Sequence, residues 1–327
     1  MLNKRKDIIA TVEKFPNYIF HILAVAKINY NSDYANKYRW AIEHQDLEYL
    51  YNSRKLLEFG NGSSSDLTYL FIFLPAYINF ESEGEVEKYF QLVKYSVENN
   101  DIQLLADQYY EYLLEQEKWT YDNVFGYLEH LCNNLHLKSK ETVKVLSDIY
   151  IRNYIKYDKV WEIEKGNIVK RSKELNKRLL EEDYILKWEN LTGLDFLYDK
   201  YEIVLCSANA NGPDANSLGY ERNLFYSGYD IDKTMEFISH EVGTHILIHI
   251  IKELWGQFHG QILYSAYESL VKFYNKIIFE EDQISYSLEQ FNDNEFFHIY
   301  NEITEENSNI KGMELICEGI RRWELKN

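Results

Sequence analysis

Glycine and proline are scarce in this sequence. There are 14 glycines and 3 prolines among 327 residues, 17 in all or about 5%, where an average protein has about 12%. Tight turns depend on these two residues, so their scarcity argues against an all-β fold of many short strands joined by such turns. We therefore expect long helices packed around a sizeable core, to which the 46% of hydrophobic residues contribute.

Cysteine is rare as well. Cys132, Cys206 and Cys317 lie far apart and form no CxxC pair. An odd number of widely spaced cysteines is typical of reduced core thiols in a cytoplasmic protein and argues against a disulfide framework. The first residues lack the apolar run of a secretory signal. The most apolar stretch, 67–80, is shorter than the ~18 residues of a spanning helix and contains Pro75. We expect a cytoplasmic protein without a membrane partner.

Positive charge is in short supply. The chain has 35 basic and 53 acidic residues, a net charge of −18. A nucleic-acid partner requires a basic surface that displaces counterions, and an anionic membrane surface attracts basic segments for a similar reason. The charge balance therefore argues against both partners.

Hydrophobic periodicity divides the sequence into two parts. Residues 1–165 show one helical pattern after another, without a repeat period, and predict an all-helical domain, an irregular bundle of unknown role. Residues 166–327 add β-rich segments to helices. The predicted fold class is mainly α with a small β-sheet, an α+β arrangement. In the second part we expect a helix at 169–187, a strand at 201–206, a loop at 207–219, a strand at 220–226, and helices at 231–254, 261–279 and 311–325.

The most informative segment is 239–249, which reads SHEVGTHILIH. It contains His240, Glu241 and His245 in an HExxxH pattern. In the familiar zinc-peptidase motif HExxH, histidines at i and i+4 share a helical face and the glutamate acts as base. Here the histidines are five residues apart, which separates them by about 140° on a regular helix instead of about 40°. A regular helix would not direct both imidazoles at one ion.

Two alternatives reconcile this spacing with a metal site. One is a π-bulge, a single wide turn that Gly243 would ease because it has no Cβ. The other is a different set of ligands, since Glu241, His245 and His249 share a face of an undistorted helix. That stripe could equally be a hydrogen-bonded strip of the core. A lone histidine in an apolar helix is usually a core residue, but two that flank a glutamate cost free energy to bury unless something compensates them.

A catalytic zinc ion needs a third protein ligand and an open position for water. Glu268, on the next predicted helix, is our candidate, because a glutamate from a following helix is the gluzincin arrangement. The other candidates are Glu253, His259, Glu314 and Glu318. His259 lies next to a glycine in a predicted turn, and the last two lie one turn apart near the end of the chain, so these three are more typical of a solvated surface.

The sequence SHEVGTHIL, followed by YESLV on the next predicted helix, resembles the HExxxH metallopeptidases typified by the microtubule-associated tyrosine carboxypeptidases and their bacterial relatives. In that family the signature reads like HEIGTH, and a later QEGLA supplies the third ligand. The resemblance implies a zincin-like (gluzincin-type) catalytic domain at 166–327 with one Zn²⁺ ion. It makes His240, His245 and Glu268 the ligands and Glu241 the catalytic base. It covers about residues 166–280, and Tyr, Ser and Val stand where the second motif has Gln, Gly and Ala.

The function that we expect from these observations is zinc-dependent hydrolysis of a peptide bond in a peptide or protein substrate. The resemblance narrows this to a carboxypeptidase that removes a C-terminal residue. Arg222 would bind the terminal carboxylate, although a solvated residue at a strand edge is an equal interpretation, and Tyr220, Tyr226 and Tyr229 are candidate oxyanion donors. The main alternative is a non-catalytic helical interaction scaffold with a structural or degenerate motif. A hydrolase of a non-peptide bond is a third hypothesis.

Overall fold

We describe a computed structural model of the chain that covers residues 5–60, 63–119, 123–281 and 295–326. Within these ranges the fold is mainly helical with a small sheet, so the predicted fold class is confirmed. The helices are α1 (Lys14–Val25), α2 (Tyr34–Tyr38), α3 (His44–Asn52), α4 (Leu74–Ile78), α5 (Glu83–Asn99), α6 (Gln103–Gln108), α7 (Tyr110–Glu117), α8 (Val124–Asn134), α9 (Leu137–Leu179), α10 (Tyr184–Thr192), α11 (Ile231–Leu254), α12 (Gly260–Glu281), α13 (Glu295–Glu306) and α14 (Gly312–Lys326). No helix of the described ranges is long and apolar enough to cross a membrane.

The strands are β1 (Asp7–Thr11), β2 (Phe59–Gly60), β3 (Ser63–Ser64), β4 (Lys200–Cys206), β5 (Ala215–Gly219) and β6 (Arg222–Tyr226). The main sheet has the order β1-β4-β6-β5, and β2 pairs with β3 in a separate hairpin. Strands β4 and β6 run parallel with Val204 opposite Leu224, whereas β5 and β6 are antiparallel.

Strand β5 lies inside the segment 207–219, where composition predicted only loop, so that prediction is wrong for its last five residues. The segment is polar, but Asn216 and Leu218 alternate as buried residues along the strand. The Asn216 amide donates to the Pro213 carbonyl at 2.7 Å, which satisfies a polar group that would otherwise be costly to bury.

The described chain forms two compact units that differ from the predicted division at residue 165. Unit 1 comprises 1–9, 175–201 and 229–327, and unit 2 comprises 10–174 and 202–228. Three of the four crossings fall inside β1, α9 and β4, and the fourth follows Gly228 in the turn between β6 and α11. Composition carries no signal of the first three, because linker signals mark only exposed, irregular boundaries.

The core of unit 2 is rich in tyrosine. Tyr18, Tyr150 and Tyr157 are fully buried, and the Tyr18 ring packs at 5.5 Å from Tyr157 and at 5.1 Å from Tyr154. The Tyr18 hydroxyl donates to the Tyr150 carbonyl. In unit 2, tyrosine therefore serves as a core residue.

Candidate metal centre

The HExxxH motif lies in the middle of α11, which belongs to unit 1. Asp230 caps the helix by accepting a hydrogen bond from the Lys233 amide at 2.9 Å. From Ile231 to Leu254 every residue of α11 is α-helical. The wide turn that the sequence suggested is therefore not present in this helix. Side chains at 240 and 245 accordingly point about 140° apart around the helix axis.

Helix α12 follows α11 in sequence and packs against it. This packing brings His240 of α11 and Glu268 of α12 together, with 3.9 Å between His240 Nε2 and Glu268 Oε2. Two ligands of one tetrahedral zinc ion lie roughly 3.3–3.6 Å apart, given bonds of about 2.0–2.2 Å. The observed separation is close to that value, so the pair has the chemistry and nearly the spacing of two zinc ligands.

The surroundings keep His240 in the form that binds metals. Burial lowers the pKa of His240 to about 4, and the nearby Lys272 ammonium acts in the same direction. The imidazole is therefore neutral at pH 7. Its Nδ1 atom is buried and has no hydrogen-bond partner in the part of the chain that the structure describes. A buried polar atom without a partner is costly, so the site is not fully satisfied by these protein groups.

Tyr264 and Tyr267 of α12 are parts of this centre to which the sequence analysis gave no role. The Tyr264 hydroxyl interacts with the Glu268 carboxylate, and Tyr264 as a whole remains 41% exposed. Burial and the carboxylates of Glu268 and Glu241 raise the pKa of both tyrosines, so Glu241 also lies close to this group. Burial raises the pKa of Glu268, while Lys272 and Tyr264 lower it. The i, i+4 spacing of Tyr264 and Glu268 is the sequence signal that could have identified this contact.

His245 is not part of this group. It is fully buried, and its ring packs edge-on against Tyr201 with 5.2 Å between the ring centroids and 89° between the planes. No cluster of three or more His, Cys, Asp or Glu side chains with the geometry of a metal site occurs among the described residues. The alternative stripe of Glu241, His245 and His249 therefore does not form such a cluster either.

Gly243 has a packing role that the sequence did not reveal. A Cβ built at this position would lie 2.2 Å from Cζ2 of Trp188, a fully buried residue of α10. The Trp188 indole N–H also donates to Ser239 Oγ at 3.0 Å. The glycine thus lets α10 approach α11 closely, within a regular helix.

The other candidate third ligands lie elsewhere. Glu253, His259 and Glu314 are exposed. Glu318 is paired with Arg322 of its own helix, at 3.0 Å between Oε1 and Nε. None of these four joins a metal-binding cluster within the described ranges.

Arg222 and Tyr226 belong to unit 2, not to the unit that contains His240. The Arg222 guanidinium contacts the Glu13 carboxylate and donates to the Tyr77 carbonyl at 3.1 Å. Its side chain is only 11% exposed, and burial lowers its pKa to about 10. Arg222 is therefore a buried ion-pair residue, and its interpretation as a solvated strand-edge residue is wrong. Tyr226 is half-buried, and Tyr220 is fully buried.

Comparison of the chain with protein-family models, with curated proteins and with solved structures finds no match.

Proposed function

We propose that this chain is a zinc-dependent peptidase whose ion is held at the pair formed by His240 and Glu268. The observation that carries the proposal is the 3.9 Å separation of their side-chain atoms on two packed helices. The neutral imidazole and the interaction of Glu268 with Tyr264 support it further. The resemblance to HExxxH metallopeptidases supports the same pair independently of the geometry.

The donors fit zinc in part. His240 and Glu268 have suitable chemistry and spacing, whereas His245 does not reach them in the conformation described above. The resemblance gives the role of third ligand to His245. When bound, zinc would supply an acidified water molecule as the nucleophile.

The protein groups around the pair would have separate roles. Glu241 is half-buried next to the pair and would accept and return the proton during hydrolysis. Tyr264 would hold the Glu268 carboxylate in position while its exposed face remains open to substrate. Removal of a C-terminal residue is the narrower form of the proposal. It rests on the resemblance alone, because Arg222 is paired with Glu13 inside unit 2.

The test combines metal analysis with peptide profiling of the full chain. After dialysis against zinc, we expect one ion per wild-type chain by mass spectrometry of the metal and weak retention in His240→Ala and Glu268→Ala. His298→Ala is the matched control, since His298 is an exposed histidine of the same unit. Glu241→Gln should keep zinc and lose cleavage of a peptide library. Equal zinc in His240→Ala, or equal cleavage in Glu241→Gln, would contradict the assignment.

A non-catalytic helical scaffold is the second candidate, favoured by one observation. His245 packs against Tyr201 in the core, as a structural histidine would. If this candidate is correct, wild-type protein binds no zinc and its melting temperature does not rise when zinc is added. The fragments in the peptide experiment separate the remaining cases, since loss of single C-terminal residues indicates a carboxypeptidase. Cleavage confined to an ester panel indicates a hydrolase of non-peptide bonds.

A further inference from the structure

Unit 2 contains a surface cleft between the end of α1, helix α2 and helix α3. Its volume is about 400 Å³. The floor is apolar, since Val25, Ala35 and Leu47 line the cleft and are buried. Tyr51 also lines it and remains 47% exposed, so an aromatic ring is accessible there. The volume lies within the range of small-molecule sites, roughly 300–1,000 Å³.

Three basic side chains line the same cleft, those of Lys27, Arg39 and His44. All three are exposed, and none forms a hydrogen bond or an ion pair through its side chain in the part of the chain that the structure describes. The nearby Lys37, in contrast, pairs with Glu164 at 2.8 Å. In a chain with 53 acidic and 35 basic residues, three such basic groups around one cleft are unexpected, and they make it a candidate site for an anion.

Lys27 occupies a backbone position that normally favours a different residue. Its φ of 57° is left-handed. Its amide donates to the Ala24 carbonyl at 3.2 Å, and the Ile28 amide donates to the Leu23 carbonyl at 2.9 Å. These two bonds form a Schellman motif, which usually has glycine at the position of Lys27. The other non-glycine residues with positive φ in the described ranges are all asparagines. The turn itself therefore does not account for a lysine, whereas a role of its charge in the cleft does.

Charge and shape indicate the class of ligand. The lysine and the arginine carry permanent charges, and the imidazole of His44 can donate a hydrogen bond. Among the described residues that line the cleft, Glu48 is the acidic one. A phosphate monoester can carry two negative charges, so it matches this surplus of positive charge better than a carboxylate. The apolar floor and the Tyr51 ring suit an aromatic group.

We propose that this cleft binds a phosphate monoester whose organic part is aromatic, of the size of a nucleotide or smaller. This role does not rest on the proposed function, because all of the lining residues belong to unit 2.

The first test measures binding to the full chain by isothermal titration calorimetry at low salt. Phenyl phosphate and adenosine monophosphate are the probes. We expect saturable binding of one ester per chain, which weakens as the salt concentration rises. Phenol, adenosine and inorganic phosphate should each bind at least about tenfold more weakly than the matching ester. Absence of saturable binding of both esters, or inorganic phosphate that binds as tightly as they do, overturns the inference.

The second test places the ligand in the cleft by changing single charges. Arg39→Gln should weaken binding of the esters at least about fivefold, whereas Glu48→Gln should strengthen it about twofold to fivefold, because it removes a repelling charge. Lys138→Gln is the matched control, since Lys138 is an exposed lysine of the same unit that does not line the cleft. It should bind like wild type. An effect of Lys138→Gln equal to that of Arg39→Gln, or weaker binding in Glu48→Gln, overturns the inference.

The third test uses Lys27→Gly to separate binding from folding. Glycine suits the left-handed backbone, so the melting temperature should rise by about 2–4 °C. The affinity for the esters should nevertheless fall at least about fivefold, because a positive charge is lost from the cleft. A stabilised variant with wild-type affinity, or a lower melting temperature, contradicts the role of Lys27 and overturns the inference.

Discussion

The substitution Gly243→Ala distinguishes two physical roles for this glycine. On an exposed helix surface, alanine is favoured over glycine by about 1 kcal/mol. At position 243, however, the new methyl group would lie 2.2 Å, 2.3 Å and 2.6 Å from three atoms of the Trp188 ring. Carbon atoms in contact are normally about 3.5–4.0 Å apart, so either the indole or the helix must move by more than 1 Å. Overpacking of this kind costs about 1–3 kcal/mol and occasionally more.

We therefore expect Gly243→Ala to lower the free energy of unfolding by about 1–3 kcal/mol, despite the better helix propensity of alanine. Urea denaturation followed by circular dichroism measures this. Gly166→Ala in α9 is the matched control, because nothing lies within 4 Å of a Cβ at that position. It should be neutral or stabilising. In Trp188→Phe/Gly243→Ala the smaller ring leaves space, so the double variant should be more stable than the sum of the single effects predicts. A stabilised Gly243→Ala, or strictly additive effects, would refute the packing argument.

Three further predictions concern buried polar groups and the metal site. His21 is buried and its pKa is lowered to about 3, so stability should be complete above pH 6.5 and decline as the pH falls towards 3. His21→Gln should flatten this decline in urea melts between pH 7 and 4.5, whereas the exposed His130→Gln should follow wild type. Arg222→Met should lower the free energy of unfolding by about 3–5 kcal/mol, because it leaves Glu13 unpaired in the interior. Adding Glu13→Gln should recover part of that loss. A double variant no more stable than Arg222→Met would contradict this reasoning. Tyr264→Phe should weaken zinc affinity about tenfold in a chelator competition, and an equal affinity would mean that the hydroxyl does not orient Glu268.

Local signals were sufficient to predict several elements of this fold. Ser82 and Glu85 form the capping box that their spacing indicates, and the helix containing the HExxxH motif runs from Ile231 to Leu254 as expected. In both cases the deciding interactions lie within a few residues of one another in sequence. The mainly helical class could be predicted from composition, because glycine and proline are scarce along the whole chain and tight turns depend on them.

Other features depend on residues that are distant in sequence. Helix α9 runs through 137–179, whereas we expected a helix that begins at 169 and ends at 187. It ends at Leu179 where Arg5 donates to the carbonyls of Leu179, Leu180 and Glu182, and this partner lies more than 170 positions away. Capping by a distant side chain cannot be inferred from the local sequence.

In the candidate metal centre, the sequence predicted which two side chains lie close together but not the role of Gly243. The order of the motifs indicated that Glu268 follows on the helix after His240, and the two side chains do lie side by side. The role of Gly243 could not be inferred in the same way. Its conformational freedom suggested a wide turn, whereas its neighbour Trp188, contributed by another helix, requires a glycine for contact. Glycine is expected both at a wide helical turn and at a close contact between helices. Only the packing around position 243 shows that the second reason applies there.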